Sequence, residues 1–165
     1  MKKWVRLHIK NIAICVLCAY FVGVVSILFF RTGYMPSSAF FYWDYLKRNI
    51  QLIPFHTVKE MVSLIINSEA SYNARFLASI NIIGNILLMF PAGLLLPILF
   101  KKFRKLSSYA IWMLIYIFGI EILQVLTITG TFDIDDILLN FAGAMLGFLV
   151  FGTVGKLVMR RTYGE

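Results

Sequence analysis

The sequence predicts an all-α, polytopic membrane protein with four transmembrane helices, and three observations lead to this fold class. Hydrophobic residues make up 60% of the 165 residues and charged residues 15%, whereas a soluble domain is about 45–50% apolar and about 25% charged. The mean hydropathy is +0.81. Basic residues cluster at the ends of long apolar runs, as the positive-inside rule predicts. This clustering accounts for the net charge of +8, so we expect no nucleic-acid binding.

The first predicted span covers residues 12–30. Four basic residues precede an unbroken apolar run, which is long enough to cross about 30 Å of hydrocarbon at about 1.5 Å per residue. The apolar region of a signal peptide is shorter, about 7–15 residues, and ends in small residues. Because this run ends at Phe29-Phe30-Arg31, we predict a retained transmembrane helix.

Residues 31–75 form one long connection with mixed charge. Its segment Phe40-Phe41-Tyr42-Trp43-Asp44-Tyr45 is rich in aromatic side chains, which favour the membrane interface. A short helix is predicted from Thr57 to Asn67, with Thr57 as N-cap and Glu60 at the third helical position. This helix is too short to span, so it lies on the membrane surface or packs against the bundle.

Three further spans are predicted at about residues 76–100, 109–129 and 136–155, within a single membrane domain over residues 1–165. The first of these contains Pro91, which removes a backbone donor and predicts a kink unless neighbouring groups compensate. Each span carries polar side chains in its apolar sequence, namely Asn81, Asn85, Glu121, Gln124 and Asn140.

Basic residues also predict the orientation. Eleven lie in the N-terminal segment, the Lys101–Lys105 link and the C-terminal tail, against five in the first loop, which predicts that both termini are cytoplasmic. At about 1.5 Å per residue, Asn85, Glu121, Gln124 and Asn140 then all lie roughly 5–15 Å below the outer surface. We therefore expect a polar pocket that opens to the outer leaflet.

The last span begins at an acidic segment that contains Asp133, Asp135 and Asp136. On a continuing helix, the sequence positions of Asp136, Asn140, Gly143 and Gly147 share one face. The two glycines form a G-x-x-x-G pair, which lets a second helix approach closely. This face predicts close packing with another helix, and a membrane-protein partner or a second copy of the chain is one candidate for it.

The carboxylates allow two interpretations. Asp133 is a good helix N-cap, and acidic residues in a first turn complement the helix dipole. Alternatively, Asp133, Asp136 and Glu121 supply the oxygen ligands that Mg²⁺ or Ca²⁺ prefers. They are also the candidates for catalysis.

Insertion of the charged Glu121 side chain into a membrane costs at least about 2.5–3.5 kcal/mol of free energy. The side chain must therefore face the bundle interior, be paired or be protonated. One interpretation is that Glu121 has a functional role. The other is that a neutral Glu121 forms an interhelical hydrogen bond to Asn85 or Asn140, which contributes about 0.6 kcal/mol to stability.

Four motifs together resemble the VanZ-like family of bacterial membrane proteins over roughly residues 48–147. They are Arg48-x-x-Gln51-x-x-Pro54-Phe55, Asn85-x-x-x-x-x-Pro91-x-Gly93, Glu121-x-x-Gln124 and Asp133-x-x-Asp136-x-x-x-Asn140-x-x-Gly143. The chain departs from the family pattern at Gln51, where Asn is usual, and near Thr131, where many relatives carry Arg.

The resemblance implies a multi-pass protein of the bacterial plasma membrane. It also implies a cell-envelope role associated with reduced susceptibility to teicoplanin-type glycopeptide antibiotics, with a membrane lipid or the antibiotic itself bound at the outer leaflet. Two alternatives stay open, a metal-dependent enzyme acting on a lipid-linked or phosphorylated envelope substrate, and a non-catalytic helper subunit. The expected pocket residues are Arg48, Asn85, Glu121, Gln124, Asp133, Asp135, Asp136 and Asn140. The expected helix-packing residues are Pro91, Gly93, Gly143 and Gly147, and the family pattern adds Pro54.

Overall fold

The computed structural model describes residues 2–29 and 39–155 and confirms an all-α architecture. Residues 30–38, in the first loop, and the predicted basic C-terminal tail lie outside the described residues. The six helices are α1 (Lys2–Phe29), α2 (Ala39–Arg48), α3 (His56–Ile66), α4 (Tyr72–Leu99), α5 (Leu106–Leu126) and α6 (Ile134–Val150). A 3-10 turn, Lys101–Arg104, links α4 to α5, and a π-helical turn, Phe151–Gly155, follows α6.

Three of these helices are long and apolar enough to cross a membrane: α4, α5 and α6 with its extension to Thr153. The apolar part of α1, Ile14–Phe29, is shorter, so the fourth predicted span stays a prediction. The chain is a membrane protein of several long apolar helices. The predicted spans agree with these helices, although α4 and α5 begin three or four residues earlier than predicted and α1 includes the basic N-terminal residues.

Helix α6 is the most buried of the three long apolar helices. It packs most extensively on α4 and also on α5, while α1 packs on α4. The core includes Tyr109, whose ring stacks on Phe148 with centroids 4.9 Å apart and whose hydroxyl donates to the Ala144 carbonyl. Phe21 of α1 meets Tyr116 of α5 edge to face. Because α6 packs on both α4 and α5, polar side chains of the three helices come close together.

The acidic end of the bundle, where Asp133, Asp135 and Asp136 lie, is covered by the long first connection. Strand β1 (Ile50–Gln51) pairs in parallel with β2 (Phe132–Asp133), with Ile50 opposite Phe132. Helix α3 follows β1 and packs on α4, with fewer contacts to α6. Of the two predicted placements for this short helix, the structure shows packing against the bundle.

Candidate functional site

Asp133 and Asp135 fasten α3 to the start of α6. The Asp135 carboxylate accepts hydrogen bonds from the backbone N–H groups of Phe55 at 2.5 Å and Val58 at 3.0 Å. Asp133 accepts from the Thr57 hydroxyl at 2.6 Å and from the backbone N–H of Asp135 at 2.8 Å. Asp135 is fully buried. It therefore satisfies free N–H groups at the start of α3 and opposes the positive end of that helix.

The predicted cap of this short helix is wrong, whereas the predicted cap of α6 is confirmed. The N-cap residue of α3 is Phe55, which makes no side-chain cap bond, while Thr57 bonds to Asp133 instead. Phe55 has a positive φ of 63°, an uncommon conformation for a residue with a side chain. Asp133 caps α6 through its bond from Asp135 N–H. The capping carboxylate of α3 comes from a segment 80 residues away.

The Asp136 side chain contacts α4 inside the bundle, whereas Asp133 and Asp135 contact α3. Its carboxylate accepts a hydrogen bond from the side-chain amide of Asn85 on α4. Asn140, one turn further along α6, is 4% exposed, and its Oδ1 has no hydrogen-bond partner among the described residues. Polar groups of α4 and α6 thus meet inside an apolar bundle.

Glu121 reaches this region from α5. It is 3% exposed, and the backbone of Asp133 hydrogen-bonds to its carboxylate. Its Oε2 atom is buried without a partner among the described residues. Both Asp136 and Asp133 lie near enough to Glu121 for their charges to interact. We call Asn85, Glu121, Asp136 and Asn140 the buried polar cluster, in which Glu121 and Asn140 are buried and Asn85 and Asp136 are half-buried.

The cluster is rich in acceptors that lack donors. An unpaired buried acceptor costs about 1–3 kcal/mol, so the unpartnered oxygens of Glu121 and Asn140 are expensive for the bundle. An N–H or O–H group of a ligand, or a proton held between two of these oxygens, would satisfy them.

The predicted metal site at Asp133, Asp136 and Glu121 stays a prediction. Within residues 2–29 and 39–155, no group of three or more His, Cys, Asp or Glu side chains is placed to hold a metal ion. The carboxylate of Asp133 is engaged by Thr57 and the backbone of Asp135, whereas Asp136 is bonded to Asn85. The carboxylates divide between capping and the bundle interior.

Two predicted pocket residues, Arg48 and Gln124, are not among the four residues of the cluster. The Arg48 guanidinium, at the end of α2, forms an exposed ion pair with Asp44 at 2.9 Å. Gln124 lies near the end of α5, and its carbonyl accepts from the backbone N–H groups of Thr129 and Gly130. Ile128, which lies between Gln124 and Thr129 in the chain, has a positive φ of 58°. This conformation is strained for a β-branched residue. Gln124 therefore belongs to the tight end of α5 as well as to the polar side of the bundle.

The predicted small face of α6 is occupied by α4 of the same chain. A side chain at Gly143 would collide with the backbone of Ile86, and one at Gly147 with the backbone of Phe90. Gly93 on α4 lies equally close to Ala144. A partner or second copy bound through this face would have to displace α4. Helix α4 is continuous through Pro91.

Sequence reasoning missed several groups that shape the acidic end. Tyr42 and Tyr45 of α2 donate to the carbonyls of Leu126 and Gly130, both at 2.9 Å. Burial raises the pKa of the Tyr45 hydroxyl, so this hydroxyl stays protonated and keeps its role as donor. Gln51, which departs from the family pattern, accepts from the Ile53 N–H. The aromatic segment was the available signal, but its helical geometry was not predicted.

The fold and this site define a class of protein: a helical membrane protein with buried carboxylates and amides between its long apolar helices. The chain belongs to the VanZ/LLP1 family, which it matches over residues 17–155. It is 29% identical over 140 residues to the protein VanZ of Enterococcus faecium, an alignment that covers 85% of this chain and 73% of that protein. No solved structure matches the chain significantly.

Proposed function

We propose that this protein lowers susceptibility to teicoplanin-type glycopeptides by binding a polar envelope molecule at the buried polar cluster, which faces the outer leaflet. Family membership supports the link to such resistance. The observation that carries the role of the cluster is Glu121, a buried carboxyl with one unpartnered oxygen beside the Asp136–Asn85 pair. So costly a group inside a span is a functional site by default.

The outward placement of the cluster rests on the distribution of basic residues. The first connection, the β1–β2 pair and the start of α6 lie at the same end of the bundle. The link at the opposite end, Lys101–Lys105, carries four basic residues, as a cytoplasmic link does. The acidic end then meets the outer leaflet, where envelope substrates and glycopeptides are accessible.

The test separates a functional role of the carboxylates from a packing role. The gene is deleted, the change in the inhibitory concentration of teicoplanin is measured, and the strain is complemented with Glu121→Gln or Asp136→Asn. Both amides keep an oxygen that can accept the existing hydrogen bond, from the Asp133 backbone or from Asn85. We expect normal membrane levels of both variants and susceptibility equal to that of the deletion strain.

Glu69→Gln is the matched control, because it makes the same exchange at an exposed position in the loop before α4. It should complement like wild type. If the deletion leaves teicoplanin susceptibility unchanged, the proposed link to resistance is wrong for this protein. If Glu121→Gln and Asp136→Asn complement fully, the carboxylates serve packing alone, and the proposed binding role is overturned.

A further inference from the structure

A cleft of about 820 Å³ runs along α4, on the side opposite to the face that contacts Gly143 and Gly147 of α6. Helices α1, α3 and α5 contribute the rest of its walls, through residues such as Ile27, Met61 and Gln124. The described lining residues are apolar except for Asn81, Asn85 and Gln124, and none of them is charged. The volume is within the range of about 300–1,000 Å³ that is typical of small-ligand sites.

The dimensions of the cleft match a lipid chain. Its lining on α4 extends from Ala74 to Leu88, which is about 21 Å at about 1.5 Å per residue. One leaflet contributes about half of a hydrocarbon core of about 30 Å, so the cleft is as deep as a leaflet and reaches beyond it. At its inner end, the Tyr20 hydroxyl of α1 donates to the Leu88 carbonyl at 2.6 Å. At the other end, Met61 and Leu64 of α3 lie beside it.

The polar groups in the cleft are positioned for one hydrogen-bonding group rather than for a charged headgroup. The Oδ1 atom of Asn81 is buried and has no partner among the described residues. Asn85, one turn further along, already donates to Asp136 of the buried polar cluster. Next to Asn85, a Cβ built at Gly84 meets no atom within 4 Å. A hydroxyl or amide of a lipid lying over Gly84 would satisfy Asn81 at the edge of the cluster.

We propose that this cleft holds one hydrocarbon chain of a membrane lipid, with a hydroxyl or amide group of that lipid hydrogen-bonded to Asn81. A hydrocarbon chain fits the uncharged, apolar walls, and burial in a preformed cleft orders it beside the buried polar cluster. The inference deepens the proposed function, on which its assignment to the outer leaflet rests, by naming a lipid as the class of ligand.

The test uses the full chain in phospholipid vesicles that contain a small fraction of a ceramide with a diazirine on its acyl chain. Ceramide carries both a hydroxyl and an amide. After irradiation, labelled peptides are located by mass spectrometry. We expect wild-type protein to be labelled at least tenfold more along the cleft side of α4 than along the exposed face of α5 around Ile111 and Ile115.

Gly84→Leu should reduce cleft labelling at least tenfold, because the new side chain occupies the cleft. Gly119→Leu on α5 is the matched control, since a Cβ there also meets no atom within 4 Å and Gly119 does not line the cleft. It should leave labelling unchanged. Asn81→Leu should lower cleft labelling about threefold, the equivalent of about 0.6 kcal/mol for one interhelical hydrogen bond.

Equal labelling of the cleft and the α5 face, or full cleft labelling in Gly84→Leu, would overturn the proposal. Cleft labelling that falls as the protein-to-lipid ratio of the vesicles is raised would assign the cleft to a second copy of the chain and overturn the proposal. The labelling experiment contains no antibiotic, so its failure is distinguishable from failure of the teicoplanin test. Cleft labelling combined with an unchanged deletion phenotype would keep the lipid site and discard the link to resistance.

Discussion

At the scale of single residues, Asp135 shows how a buried charge becomes a structural connector. It is fully buried, yet both carboxylate oxygens accept backbone hydrogen bonds from the first turn of α3. Hydrogen bonds to a charged group contribute about 1.5–3 kcal/mol each, and the positive end of the helix adds to this. The carboxylate is therefore more important for stability than the exposed Asp44–Arg48 pair.

Replacing Asp135 by Ala should destabilise the protein by at least about 2 kcal/mol, since it leaves the N–H groups of Phe55 and Val58 without a partner. Unfolding in mixed detergent micelles measures the loss, and limited proteolysis between residues 49 and 66 reports release of α3. Asp44→Ala is the control, with an expected change below about 1 kcal/mol. Equal effects of the two substitutions would show that Asp135 does not hold α3.

The sequence predicted the role of Asp133 but not that of Asp135. An N-cap acts on the helix that follows it directly, so Asp133 could be assigned from neighbouring residues alone. Asp135 acts on a helix that begins 80 residues earlier in the chain, and no local pattern shows such a partner. The burial of Glu121 and Asn140 was predicted because an exposed polar group costs free energy inside a membrane. Their unpartnered atoms depend on side-chain packing.

At the scale of helices, the crossing of α4 and α6 depends on glycines at which two backbones touch. Gly143→Ala should destabilise the bundle by about 1–3 kcal/mol, because the new methyl group meets the Ile86 carbonyl and neither backbone can move aside cheaply. Gly84→Ala on α4 is the control. Its Cβ meets no atom within 4 Å, and alanine favours a helix by about 1 kcal/mol over glycine. Thermal unfolding in detergent should separate the two variants, and an equal melting temperature would contradict this account of the crossing.

Helix α2 should depend on its tyrosine hydroxyls. Tyr45→Phe removes the donor to the Gly130 carbonyl while keeping the ring, so we expect a loss of about 0.5–1.5 kcal/mol. Tyr72→Phe is the control, because Tyr72 is 72% exposed at the start of α4. Amide exchange in α2 should increase in Tyr45→Phe alone. Unchanged exchange in both variants would show that the hydroxyl does not anchor α2.

The long helices were predictable and the elements between them were not. Apolar runs of at least about 18 residues predict spans directly, and α4, α5 and α6 agree with them within a few residues. Helix α2 is short, and the aromatic residues that mark it fit an interfacial loop equally well. The β1–β2 pair has two residues on each side, too few for a periodic pattern. Contacts with distant parts of the chain determine whether such short elements form, so a local sequence pattern does not predict them.

At the scale of the whole molecule, the prediction concerns orientation. Both termini should be cytoplasmic, since the two terminal segments and the Lys101–Lys105 link carry eleven basic residues and the first loop carries five. Alkaline phosphatase fused after Glu165 should therefore be inactive, and the same enzyme inserted after Asn67, in the loop that follows α3, should be active. Activity of the C-terminal fusion would reverse the orientation and move the acidic end into the cytoplasm.

The β1–β2 pair also constrains how the protein is made. The ribosome synthesises β1 about 80 residues before β2, and two long apolar helices, α4 and α5, lie between them. The contacts of α3 with Asp135, and of β1 with Phe132, cannot form until α5 has been inserted and the chain has returned to the same side of the membrane. The acidic end therefore cannot assemble before α4 and α5 have been synthesised. A truncated chain ending before residue 132 would insert helices but leave this end open to quality-control proteases.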